Sequence, residues 1–362
     1  MYSAIIEIYR KQIIHMEKKN RLVYLDIARG IAMVSIVLGH LRLNNINRVV
    51  FTYHLPIFFI ISGFFINTND KMSHFVKKKV RTLIVPYIVA CVCVILSALM
   101  MNLIFQKGEG FAEVLKTWSI ASIYGAGDSY KEPFQIQGIG AIWFLLATFW
   151  ALIMLKSLSK INKWLRVAAV FIIFYLGIFT RDKFFWFPFS IQAGCTALLF
   201  LYIGYLIKEN KQYISNISKE AAIFGSILLI IVWLSFIRDF QSFWLVHCDI
   251  GRGFIDIIGS LGGCLFIILI SMLIERKIKI LAVPLSFLGK NSLIFLIAHI
   301  IELNTFKWMT LLDKIFPDES NQNYYLPIVI ILKFIWIITF TVIFSNIKSV
   351  RKLLGMPISD KD

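Results

Sequence analysis

Ten apolar runs of 17 to 24 residues, separated by short charged clusters, constrain this chain more than any other feature. They occupy residues 27–43, 49–66, 82–105, 139–155, 164–180, 189–207, 221–237, 254–273, 283–303 and 324–347. A hydrocarbon slab of about 30 Å takes roughly 20 helical residues to cross. No run alternates polar and apolar residues as a barrel strand does, so each backbone has to satisfy its own hydrogen bonds as a helix. The expected fold class is all-α, a polytopic membrane helical bundle of about ten transmembrane helices. Composition agrees: 58% of the 362 residues are apolar and 16% charged, whereas a soluble domain is about half apolar and a quarter charged. Disorder, collagen, a coiled coil and a second soluble domain are excluded together.

A net charge of +17 would suit a nucleic-acid binder. The cations, however, lie in clusters between apolar runs, where they orient spans, and no nucleic-acid partner is expected. With the N-terminus in the cytoplasm, the inward connections carry more than twice the Lys and Arg of the outward ones, so both termini are expected there. Residues 1–20 then form an N-terminal cytoplasmic extension, 21–347 the membrane domain and 348–362 a cytoplasmic tail. The first 20 residues lack the pattern of a signal peptide, and Met16 is an alternative start. Five cysteines at irregular spacing give neither a disulfide framework nor a metal site, and no metal is expected. There is no P-loop, GxGxxG, HExxH or GxSxG, and no helix-scale repeat of the kind that builds many transporters.

An ionisable side chain inside a span costs several kcal/mol, about 2.5–3.5 on insertion scales, and is a functional candidate by default. The first run holds the densest set: Asp26, Arg29 and, eleven residues later, His40. Eleven helical steps return to within about 20° of the starting direction and climb about 16 Å. One face therefore carries an acid–base pair near the cytoplasm and an imidazole near the outside. The second run opens with Tyr53-His54-Leu55-Pro56 and closes on Ser62-Gly63; after so short a loop, His54 is expected at nearly the depth of His40. Lys78 and Arg81 stand three apart at the cytoplasmic mouth of the third run. They suit either positive-inside anchoring or a phosphate clamp. Trp143 opens the fourth run, as a belt tryptophan or a substrate contact. His299 and Glu302, three apart in the ninth, either fix an imidazole tautomer or cap the outer end. Outward loops with Arg181, Asp182, Lys183 and Trp186, and with Arg238, Asp239, Trp244, His247, Asp249 and Arg252, read as sugar-facing surfaces or as an aromatic belt with polar loops.

The order Leu-Asp-x-x-Arg-Gly at 25–30, His40, His-x-Pro-x-Phe-Phe-x-x-Ser-Gly at 54–63 and Lys-x-x-Arg-Thr-Leu-x-x-Pro-Tyr at 78–87 resembles the integral-membrane acyltransferase-3 family. Trp143-Phe-Leu and Gly289-Lys-Asn-Ser, followed by His299, are similar to it too. These are O-acyltransferases of bacterial surface polysaccharides, peptidoglycan and some antibiotics, usually with ten spans. The resemblance implies an acyl-CoA donor, usually acetyl-CoA, taken from the cytoplasm. It implies a central catalytic role for His40, support from Arg29, and CoA binding by Lys78 and Arg81. Lys78 stands where the family often has Arg, which keeps the charge and loses the bidentate fork.

On this reading Asp26 and His54 complete the catalytic set, while Trp143, His299 and Glu302 face substrate. The expected partners are acyl-CoA, a polysaccharide or lipid-linked sugar, the lipid bilayer, and a second copy or other glycan-synthesis proteins. The expected location is the bacterial plasma membrane. His40 serves either as general base or as an acylated nucleophile, and the acceptor sugar stays open. A lipid-linked sugar flippase or exporter is the alternative, and a membrane scaffold for glycan synthesis the third. A flippase has no use for a CoA clamp, and a scaffold none for buried Arg29 and His40.

Overall fold

The computed structural model describes residues 22–41, 43–105, 110–306, 308, 312 and 322–357; the expected extension over 1–20 lies outside them. Among the described residues the chain is helical, apart from one isolated bridge between Tyr130 and Ile136. Two compact units emerge: Met1–Thr68 with Ile161–Phe174 and Thr196–Ser292, and Asn69–Lys160 with Tyr175–Cys195 and Leu293–Asp362.

The first unit opens on α1 (Val23–Gly39), α2 (Asn44–Val50) and α3 (Pro56–Phe64). The run expected as one span over 49–66 is thus two short helices joined by turns at 51–55. Pro56 starts α3, where its missing N–H breaks no ladder. The turn ahead of it is held from the side: Trp233 Nε1 donates to Thr52 Oγ1 at 2.8 Å, and the Tyr53 hydroxyl meets Ser35 Oγ at 2.8 Å.

The second unit opens on α4 (Met72–Lys79), which runs through a π-helical turn, Val80–Ile84, into α5 (Val85–Phe105). The expected span at 82–105 is the later part of this longer rod. Pro86 has no N–H to return to the preceding turn and its ring crowds the carbonyl behind it, so the helix widens there. Next come α6 (Phe111–Tyr124), between the expected spans at 82–105 and 139–155, and α7 (Trp143–Leu158). α7 starts four residues later than expected, because Gly140 sits at φ +75° outside any helix.

Helices α8 (Lys163–Lys183) and α9 (Ile191–Glu209) supply residues to both units. They are followed by α10 (Lys211–Ser215), α11 (Lys219–Arg238), α12 (Phe254–Lys277) and α13 (Lys279–Lys290) in the first unit. The second closes with α14 (Ser292–Thr305), α15 (Gln322–Ser345) and α16 (Lys348–Leu353). The expected ninth span, 283–303, is therefore broken at Asn291, whose side chain turns back to the Phe287 carbonyl at 3.0 Å. Such a side chain offers the backbone an alternative to continuing the helix.

Six of the described helices are long and apolar enough to cross a membrane, and a seventh crossing results if α13 and α14 count as one. α1 has 17 residues and α7 has 16, short of the length asked of a full span. α11 leaves Ile223, Phe224, Ile227, Leu228, Ile231 and Leu234 exposed, while α9 is mostly buried. An apolar face without protein cover on a helix of spanning length is what contact with lipid produces. The molecule is a multi-pass membrane protein.

Within the first unit, Val23 and Ile27 of α1 pack with Ile274 of α12 and Ala282 of α13. Small residues set how closely these helices approach. A Cβ on Gly30 would collide with the Leu285 carbonyl, and one on Gly289 with the Asp26 carbonyl. The same device recurs between α3 and α9, where Gly63 meets the Leu201 carbonyl and Gly204 meets that of Ile60.

Candidate functional site

The polar residues of α1 are positioned by that tight crossing. Asp26 is buried, and Arg29 Nη1 lies 3.8 Å from its Oδ1, the i,i+3 pair expected from spacing. The guanidinium also stands over the Phe65 ring, 5.9 Å from its centroid, within the range of a cation–π attraction. His40 follows the last residue of α1 and is exposed. Its Nδ1 lies 2.8 Å from the Ile36 carbonyl oxygen. A carbonyl can only accept, so neutral His40 carries its proton on Nδ1 and its basic lone pair on Nε2.

His54 repeats this arrangement in a buried setting, with Nδ1 2.7 Å from the Val50 carbonyl oxygen. Phe51 links the two histidine turns. Its ring packs on Gly39, where an added Cβ would stand 2.7 Å from Cε1, and lies 5.2 Å from the His54 ring. Phe51 also meets the exposed Trp244 edge-on at 5.5 Å, and Trp244 stacks on His247 at 5.7 Å. An aromatic strip therefore leads from the His54 ring to the loop over 239–253. Four charges at the two ends of that loop pair with one another, while Asp249 accepts from the Gly251 N–H at 2.9 Å. Arg252 pairs with Asp256 at 2.7 Å and with Asp239 at 3.3 Å, and Arg238 pairs with Asp239 at 2.8 Å. The Asp239 carboxyl is held below the usual carboxylate range, chiefly by its hydrogen bond from Arg238.

In the second unit, Lys78 and Arg81 are exposed, Arg81 within the π turn; π turns gather at functional sites. Trp143 is buried at the start of α7, not spread on a surface as a belt residue would be. Gly140, ahead of it, lies against Ile300, the neighbour of His299. His299 and Glu302 are both fully buried, with Nδ1 3.4 Å from Oε2. Glu302 Oε1 also accepts from Lys333 Nζ at 2.5 Å and from Trp308 Nε1 at 2.6 Å. Lys333 is not among the residues the sequence reading singled out, although a lysine inside the last apolar run met the rule applied to Arg29. Lys156, one residue past the apolar run over 139–155, is buried with its ammonium 5.8 Å from the centroid of Phe75. Trp186 does not offer a sugar platform. It is buried under Tyr130, ring on ring at 5.1 Å, and its carbonyl accepts from the Tyr124 hydroxyl.

A helical membrane protein with an imidazole presented at a helix end, above a paired Arg, has the parts for transfer chemistry. The chain belongs to the acyltransferase-3 family, whose sequence pattern, described as an acyltransferase domain, matches residues 22–347. It is therefore a membrane acyltransferase. No curated protein and no solved structure matches it.

Proposed function

We propose that the chain is an O-acetyltransferase of the bacterial plasma membrane, with about ten crossings and both termini in the cytoplasm. It moves an acetyl group from cytoplasmic acetyl-CoA to a hydroxyl of a surface or lipid-linked sugar. The observation that carries this reading is His40: exposed, with Nδ1 on the Ile36 carbonyl, and so basic at Nε2. Nε2 takes the proton of the acceptor hydroxyl as its oxygen attacks the thioester carbonyl. The tetrahedral adduct collapses, the C–S bond breaks, and the same proton passes to the departing sulfur, leaving an ester and a free CoA thiol. General-base help of this kind is worth about 10²–10⁴ in rate. Acylation of Nε2 itself is the alternative route, and rapid quenching with detection of an acyl-histidine separates the two.

Arg29 and Asp26 support the helix that carries His40, and His54 lies against the Phe51 ring that packs on Gly39. Lys78 and Arg81 take phosphates of the donor, Arg81 with its fork and Lys78 as a point charge. Trp143, His299 and Glu302 serve substrate binding.

The test is acetyl-CoA-dependent labelling of glycan in isolated membranes, comparing wild type with His40→Ala at matched protein level. Labelling should fall by about a hundredfold or more. Retained labelling removes His40 from the chemistry. Absence of labelling in the wild type, with suitable acceptors present, rejects the acetyltransferase reading.

A further inference from the structure

Three cation-bearing segments of the second unit meet at the turn that holds Arg81. The first is α4, with Lys77, Lys78 and Lys79. The second is the end of α7, where Lys156 approaches the Phe75 ring at 5.8 Å while Lys79 approaches it at 5.4 Å. The third is α16, which begins directly after the last long helix.

α16 ends in a Schellman motif: Met356 N–H bonds to the Arg351 carbonyl at 2.9 Å and Gly355 N–H to that of Lys352 at 3.2 Å. Gly355 takes the left-handed conformation this requires, φ +63°. It also seats the segment. A Cβ there would stand 2.9 Å from the Arg81 carbonyl oxygen and 3.3 Å from Thr82 Cγ2. Leu354 beside it is buried, and Arg351 reaches the Pro357 carbonyl at 2.9 Å and the Ser345 carbonyl at 3.2 Å, tying the two ends of the segment together.

Lys348 and Lys352, four apart on one helix face, stay exposed. Residues 71–82, 156–160 and 346–357 contain no Asp or Glu. Among the described residues no carboxylate pairs with Lys78, Arg81, Lys348 or Lys352. Interface anchoring asks only that cations lie near headgroups. It does not ask for a glycine-locked turn seated on one particular carbonyl.

We propose that α16 completes the donor site, with Lys348 and Lys352 binding the ribose 3′-phosphate of the acyl-CoA. The inference rests on Lys78 and Arg81 holding donor phosphates. The 3′-phosphate sits at the nucleotide end of the donor, farthest from the thioester. A compact ammonium suits such a phosphate monoester as a point charge.

The experiment measures KM for acetyl-CoA and for 3′-dephospho-acetyl-CoA, in nanodiscs of neutral lipid and of mixed neutral and anionic lipid. Lys348→Ala/Lys352→Ala should raise KM about tenfold for acetyl-CoA, two charge-assisted contacts being lost. It should leave KM for the dephospho donor unchanged in either lipid, and Lys348→Arg/Lys352→Arg should restore the wild-type value. An unchanged KM, an equal rise for both donors, or a rise confined to anionic nanodiscs overturns the proposal; the last outcome assigns α16 to lipid headgroups. Lys78→Ala/Arg81→Ala should raise KM for both donors. If it does while the α16 variant does not, the inference fails alone. If neither variant changes KM, the donor-site reading fails with it.

Discussion

Lys333→Met is expected to be among the most costly single substitutions in the second unit. Its ammonium lies 2.5 Å from Glu302 Oε1, Glu302 is fully buried, and Lys333 is 8% exposed. Removing the lysine leaves a buried carboxylate with the Trp308 indole and the His299 ring, the latter at 3.4 Å. Breaking a desolvated pair from one side costs about 3–5 kcal/mol, whereas replacing both partners with well-packed neutral groups is often close to neutral. Lys333→Met should therefore lose about 3–5 kcal/mol, Glu302→Gln a similar amount, and the double variant much less than their sum. The assay is reversible unfolding in mixed micelles, followed by tryptophan fluorescence, for all four proteins. A coupling energy below about 0.5 kcal/mol would be that of independent sites, and would refute the claim that the pair is formed and dry.

Other expectations follow from single contacts. Gly289→Ala forces a methyl against the Asp26 carbonyl and should cost about 1–3 kcal/mol as overpacking, seen as lower yield of folded protein in detergent. Arg29→Ala removes an ion-pair partner of the buried Asp26, so both activity and membrane abundance should fall, unlike His40→Ala, where abundance should stay near wild type; immunoblots of membranes distinguish them. Trp233→Phe removes the 2.8 Å bond to Thr52 and should cost about 1 kcal/mol beyond the repacking of the ring, measured against Thr52→Val in a double cycle. The 238–256 loop should resist acid. A carboxyl held low in the folded state, as Asp239 is by Arg238 and Arg252, contributes above its unfolded value of 3.8 and loses that contribution as pH falls through the lower folded value. Hydrogen exchange of the loop amides should stay flat down to about pH 4 and quicken, relative to intrinsic rates, only below it; loosening near pH 6 would refute the pairing.

Apolar run length located nearly every long helix, since hydrocarbon thickness acts on each segment separately. The departures lie where distant residues decide. Pro56 was expected inside one span over 49–66, but the turn that ends there depends on Trp233, 181 residues from Thr52, and on Ser35. The break at Asn291 was hidden inside a run that reads as continuous. Broken helices occur in transporters too, so it is family membership that separates this chain from one. The motif residues Gly30, Gly63 and Gly289 stood out by position. Their task, bringing backbones to within contact of a facing carbonyl, shows only once the facing helices are known. In the candidate site, the Asp26–Arg29 pair followed from spacing alone. Lys333 was visible as a charge in an apolar run, but its partner Glu302 is 31 residues away.

The π turn at Val80–Ile84 makes the long rod of the second unit tolerant of a change in length in a way that a regular helix is not. One residue of that turn is surplus to the α-helical count. A deletion there would take out the surplus and leave every residue beyond in phase, whereas one after Pro86, in regular helix, would swing all that follows by about 100° about the axis. In the first case Tyr87, whose hydroxyl donates to the Ser122 carbonyl at 2.6 Å, would keep its partner, and the buried Ala90, Cys91 and Val94 would keep the face they now fill. In the second, Ala90, Cys91 and Val94 would turn off it. Deleting one residue between 80 and 84 is therefore expected to be milder than deleting Ile88 or Val89. The turn absorbs a single extra amino acid without disturbing the packing face beyond it.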